Sequence, residues 1–147
     1  MTQALNVSTK LVHPALIAIG AILLIAAFAT DVVYWWTLQI QWENFSIWLI
    51  PAGLVFAAFA GLALLAEYSL QRVQAIVWWR FAILAAAALL SLLNAFVHSR
   101  DAYTAVVPEG VLLSAVVTAL LLVDGWFGWS LRALPKSSPS QKGKASS

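Results

Sequence analysis

The chain has 147 residues, of which 63% are hydrophobic and 10% charged, with a net charge of +2, eight tryptophans and no cysteine. A water-soluble domain this small could not hide so much apolar surface, because small domains bury the smallest fraction of theirs, and a disordered chain is excluded for the opposite reason. The lack of cysteine removes disulfide frameworks, Cys-ligated zinc, iron–sulfur clusters and thiol nucleophiles.

What remains is an integral membrane protein of one domain. A membrane-crossing helix needs about 20 mostly apolar residues. Four runs qualify, predicting helices at about 14–36, 46–68, 75–98 and 108–131. The runs lack the two-residue alternation of a membrane barrel, and lipid offers the backbone no partners, so helices are required. The expected fold class is an all-α, integral membrane four-helix bundle over residues 1–134. Residues 135–147, rich in Ser, Lys and Pro, read as a disordered tail. The first apolar run passes through Ala27-Phe28-Ala29 into Tyr34-Trp35-Trp36, which argues against a cleaved signal.

Boundary residues fit this plan. Pro14 and Pro108 suit a first helical turn, where the missing N–H costs nothing. Ser46 is expected to cap the second helix, and Pro51 to bend its start. Tyr34, Trp35, Trp36, Trp42 and Trp48 form one expected aromatic belt, and Tyr68, Trp78, Trp79, Trp126 and Trp129 the other.

Four crossings place both termini on one side. Lys10, Arg72, Arg80, Arg132, Lys136, Lys142 and Lys144 lie on or near that side, against Arg100 alone on the other. This bias predicts cytoplasmic termini in a multi-pass protein of a bacterial cytoplasmic membrane.

Ionisable groups within a membrane are costly and each needs an account. An inner layer contains His13, Glu67, Arg80 and Asp124. Arg80 and Asp124 reach similar depth on antiparallel helices and are expected to pair, either as a lock between helices or as part of a proton or ion path. An outer layer contains Asp31, Asn94, His98, Arg100, Asp101 and Glu109. Asn94 is expected to donate to the Asp31 carboxylate across helices 1 and 3. The two histidines open helix 1 and close helix 3, so they sit about 30 Å apart along the bilayer normal and cannot share one iron. A single-histidine haem b site stays open. The simpler reading makes His13 an interfacial residue and His98 a helix end meeting a polar loop.

Gly53, Ala57 and Gly61 fall on one face of helix 2 and allow close helix packing, within the bundle or against a second copy. Ser114 and Thr118 give helix 4 a more polar stripe. Phosphate loops, zinc-protease motifs and nucleophile elbows are missing. No basic patch supports nucleic acid binding, and no metal site is expected.

The polar landmarks together resemble the four-helix bacterial membrane family called domain of unknown function 2231. They are His13-Pro14, Asp31-Val-Val-Tyr-Trp-Trp-Thr37, Phe45-Ser-Ile-Trp-Leu-Ile-Pro-Ala-Gly-Leu54, Asn94-Ala-Phe-Val-His-Ser-Arg-Asp101, Ala105-Val-Val-Pro-Glu-Gly-Val-Leu-Leu-Ser114 and Gly125-Trp-Phe-Gly128. They span about residues 13–131. The resemblance implies a four-helix inner-membrane domain and no defined activity. Some family patterns suggest a helix-3 His and Asn that could serve a cofactor. Arg80 and Leu84 stand at those positions here, Asp124 replaces a neutral residue, and Glu67-Tyr68 replaces an Asp-aromatic pair.

The first functional expectation is a non-enzymatic structural or accessory membrane component, with lipid around it and a membrane protein or a second copy as partner. The second is an electron-transfer accessory binding haem b or a quinone. The third is a small proton or ion conductor using Asp31, Arg80 and Asp124.

Overall fold

The computed structural model describes residues 10–100 and 106–132. Asp101 and the tail at 135–147, both named above, lie outside these residues. The described chain forms four long helices: α1 (His13–Thr37), α2 (Ile40–Ser69), α3 (Trp78–Arg100) and α4 (Val111–Trp126). All four regions are long and apolar enough to cross a membrane. The helices form a ring in chain order, with α1 packed on α2 and α4, and α3 packed on α4 and α2.

The boundaries differ from the expected ones in four places. Helix α2 starts at Ile40, not near 46, so Ser46 lies inside it and caps nothing. The reason is a compact reversal at Leu38 and Gln39. Leu38 adopts a left-handed conformation (φ 52°), and its N–H bonds the Tyr34 carbonyl at 2.7 Å, ending α1. Helix α3 starts at Trp78, not 75, because the preceding residues pair with the end of the chain. The Val77 N–H bonds the Leu131 carbonyl at 3.0 Å, beside an Ile76–Arg132 bridge. Helix α4 is preceded by a wide turn over Val106–Gly110, so Pro108 stands before the helix. Val107 there is extended (φ −118°, ψ 121°), the conformation favoured before proline. Finally, α4 stops at Trp126, not 131. Gly128 follows with φ +79°, and the carbonyls of the last turn are taken by Arg80, as described below.

The bundle buries polar side chains towards both ends and turns an aliphatic surface outward. Its buried residues include His13, Asp31, Glu43, Ser46, Glu67, Arg80, Asn94, His98, Ser114 and Asp124, while Ile22, Leu62, Leu65, Leu89, Leu112 and Leu122 are exposed. In water this inversion would forfeit the hydrophobic driving force, whereas in lipid the outward aliphatic surface is solvated. Trp35, Trp36, Trp48, Trp78, Trp79 and Trp126 are exposed near the helix ends. Tyr34 is the exception to the expected belt and is buried, because it lies three residues after Asp31 on the inward stripe of α1.

The middle of the bundle is apolar. Ala21, Leu24, Ala27, Ile50, Ala87, Val117 and Leu121 form one cluster. Leu64, Val73 and Leu131 form a second at the end that carries the termini. Helices α1 and α2 approach closely at Gly20 and Gly53. A Cβ on Gly20 would stand 3.1 Å from the Gly53 carbonyl, and a Cβ on Gly53 would stand 2.7 Å from the Leu24 side chain. Gly61, on the same expected stripe, has nothing within 4 Å of its Cβ position. It lines an apolar cavity of about 160 Å³ with Gly20, Ala57, Leu84, Ala85 and Ala88. The predicted stripe of Gly53, Ala57 and Gly61 is therefore split between packing and open space.

Candidate functional site

Two buried polar clusters occupy opposite ends of the bundle. At the end carrying the α1–α2 turn, the centre is Asp31, fully buried on α1. Its Oδ1 accepts from the Ser46 hydroxyl of α2 and lies 3.1 Å from His98 Nε2 of α3. Its Oδ2 accepts from the Ser114 hydroxyl of α4 at 2.5 Å. All four helices thus converge on one carboxylate. The Thr30 hydroxyl lies 2.6 Å from Ser46 Oγ and adds a further member on α1.

Contrary to the expectation from the sequence, Asn94 does not bond Asp31. Its Nδ2 donates to Ser114 Oγ at 2.7 Å, so it acts on Asp31 through that hydroxyl. The Ser114 hydroxyl of α4 stands between the two. His98 lies in the last turn of α3. It is buried within α3, with Nδ1 3.0 Å from the Asn94 carbonyl and Nε2 on Asp31. Both partners are acceptors, so both contacts are hydrogen bonds only when both ring nitrogens carry protons. Gly110 closes over this ring: a Cβ there would meet His98 Cε1 at 3.0 Å. Some polar atoms of this region have no hydrogen-bond partner in the structure: both carboxyl oxygens of Glu43, Asn94 Oδ1 and Thr118 Oγ1.

At the other end, Glu67 of α2 caps α1. Its Oε1 accepts from the backbone N–H groups of Val12 and His13, and its Oε2 from His13 Nδ1. A carboxylate at a helix start meets orphan donors and the positive end of the dipole. His13 opens α1 and is fully buried within the bundle. The Leu131 N–H donates to His13 Nε2 at 3.2 Å, which fixes the ring proton on Nδ1.

Arg80 and Asp124 meet as a two-pronged pair. Arg80 Nε donates to Oδ1 at 2.8 Å and Nη2 to Oδ2 at 3.0 Å. The same guanidinium donates to the carbonyls of Asp124 (3.2 Å), Ser130 (2.8 Å) and Gly128. The rigid fork of arginine suits this geometry, and a cation is favourable at a helix C-terminus. Arg80 therefore ends α4 and shapes the turn that brings Leu131 back to His13 and Val77.

Sequence reasoning places Glu43 in the outer half of the protein but not among the outer polar layer, and it gives Ser46 a capping role instead of a place beside Asp31. A signal existed. The buried positions of α2 run 43, 46, 50, 53, 60, 64 and 67, a three-and-four spacing that marks one inward stripe. Glu43 and Ser46 belong to it as clearly as Glu67 does. The residues of the two clusters are drawn from all four helices, and the apolar middle separates them. No group of three or more His, Asp or Glu residues among those described could hold a metal ion.

No curated protein and no solved structure matches the chain. A family model described as predicted membrane protein (DUF2231) matches residues 10–134. The chain belongs to that family.

Proposed function

We propose that this protein is a non-enzymatic structural or accessory component of a bacterial cytoplasmic membrane, with both termini on the cytoplasmic side. One observation carries this reading. Most of the buried ionisable groups are spent on one another and on helix ends: Asp31 on three neighbouring helices, Glu67 on the start of α1, Arg80 on the end of α4. Such groups fix helix arrangement and termini in lipid, where few other polar contacts are available. The role of the bundle is then to present its aliphatic and aromatic outer surface, to lipid and to a membrane partner or second copy.

Haem b fits the chain poorly. An iron needs a free imidazole nitrogen. Both nitrogens of His13 and both of His98 already face protein partners. A proton or ion conductor is disfavoured by the apolar cluster between the polar layers. A quinone-binding accessory is the second reading, and the apolar cavity beside Gly61 and Ala85 favours it.

The test is an absorption spectrum of the purified full-length protein, oxidised and dithionite-reduced, after expression with ample haem. The expected result is a colourless protein. A near-stoichiometric haem band lost in His13→Ala or His98→Ala would overturn the reading. Quinone retained through purification and released by solvent extraction would favour the second reading instead.

A further inference from the structure

Glu43 differs from the buried acids around it. Asp31, Glu67 and Asp124 each receive donors from neighbouring elements. Glu43 is 2% exposed, and neither of its carboxyl oxygens has a hydrogen-bond partner in the structure. It lies one turn before Ser46 on the same face of α2, and Ser46 bonds Asp31. His98 and Asp31 are its electrostatic neighbours.

The physical balance at this carboxyl is close. A buried carboxylate without donors is far more costly than a neutral carboxyl group, and a second negative charge beside Asp31 adds to that cost. The His98 ring and the first turn of α2 favour the charged form. A group held between such opposed effects gains or loses a proton according to the charge state of its neighbours.

We propose that the cluster at the α1–α2 end binds an exchangeable proton, held by Glu43 as a neutral carboxylic acid beside Asp31 and His98. Release breaks the Glu43 O–H bond, leaves its electron pair on the carboxylate and passes the proton to water. No other reactant is needed. Solvent would be met at the α1–α2 turn, where Gln39, four residues before Glu43, is exposed. Among the described residues, the titratable groups that act on Glu43 are Asp31 on α1 and His98 on α3; the α4 hydroxyl of Ser114 reaches Asp31. Arg100 and Glu109 at the same end are exposed. The site goes beyond a purely structural bundle, because the same carboxylate that ties four helices together then senses the proton on its neighbour.

Infrared spectroscopy of the full-length protein in lipid vesicles tests this directly. At neutral pH the wild type shows the C=O stretch of a protonated carboxyl group. The band shifts in D2O, disappears reversibly as pH is raised, and is lost in Glu43→Gln. Glu43→Asp, which keeps a carboxyl should the glutamine variant fail to fold, retains a band at altered frequency. Absence of the band in the wild type overturns the proposal. So does a band unchanged in either variant, or one that survives in folded protein at every pH.

Discussion

Asp31 and His98, 67 positions apart in the chain, meet at 3.1 Å in the interior of the bundle. The contact joins α1 to α3, helices on opposite sides of the ring. Ser46 and Ser114 reach the same carboxylate from α2 and α4. One acid thereby ties together all four helices at this end of the bundle.

The two imidazole rings should differ in their hydrogen bonds. His13 accepts from the Leu131 N–H at Nε2 and faces Glu67 at Nδ1. His98 faces acceptors at both nitrogens, a pattern that calls for a proton on each. Nitrogen NMR of the imidazole rings separates these states. The expected pattern is one protonated nitrogen in His13 and two in His98; a bare nitrogen in His98 would contradict the hydrogen-bond assignment.

Asp31→Ala should be the most damaging substitution at this end. It leaves the Ser46 and Ser114 hydroxyls and the His98 ring without their shared acceptor. Breaking a buried charge pair costs about 3–5 kcal/mol. Ser114→Ala removes one interhelical bond and should cost about 1 kcal/mol. Asp31→Asn, which keeps an acceptor oxygen, should fall between. Unfolding of the three variants in detergent, followed by circular dichroism, gives the ranking. An Asp31→Ala protein as stable as wild type would remove Asp31 from the centre of the fold.

Hydropathy made the four helices legible, because each must present a run of apolar residues to lipid. Matching depth on antiparallel helices brought Arg80 and Asp124 to mind as partners, and the structure places them 2.8 Å apart. Depth alone could not distinguish which residues at one level face each other. Depth therefore points from Asn94 directly to Asp31, whereas Ser114 stands between them. The role of Leu131 was beyond reach for another reason. A backbone N–H carries no residue signature, and its approach to His13 depends on the turn that Arg80 shapes. The early start of α2 likewise depends on Leu38 taking a conformation that leucine seldom adopts.

Arg80 and Asp124 should be coupled energetically. Asp124 is fully buried, so Arg80→Met strands a carboxylate, and Asp124→Leu strands a guanidinium. The double variant strands neither. Its loss of stability should be smaller than the sum of the two single losses by about 1–3 kcal/mol. It should still fall below wild type, since Arg80 also holds the carbonyls of Ser130 and Gly128. Arg80→Lys should not substitute, because an ammonium cannot reproduce the fork. Additive losses in this cycle would show that the pair does not act as a unit.

The glycines of α2 should respond in opposite ways to the same added methyl group. At Gly53 the new Cβ meets Leu24 at 2.7 Å and the Gly20 carbonyl at 3.2 Å. Leu24 is itself packed in the apolar core, so it cannot yield freely, and overpacking of this kind costs about 1–3 kcal/mol. Gly20→Ala presses on a backbone carbonyl at 3.1 Å and should also destabilise. At Gly61 nothing lies within 4 Å. Gly61→Ala should therefore be neutral or stabilising by up to about 1 kcal/mol, from the helix preference of alanine over glycine. Unfolding midpoints of the three variants in one detergent decide the matter. Loss at Gly61 as large as at Gly53 would mean that another helix covers this face, as a second copy of the chain would.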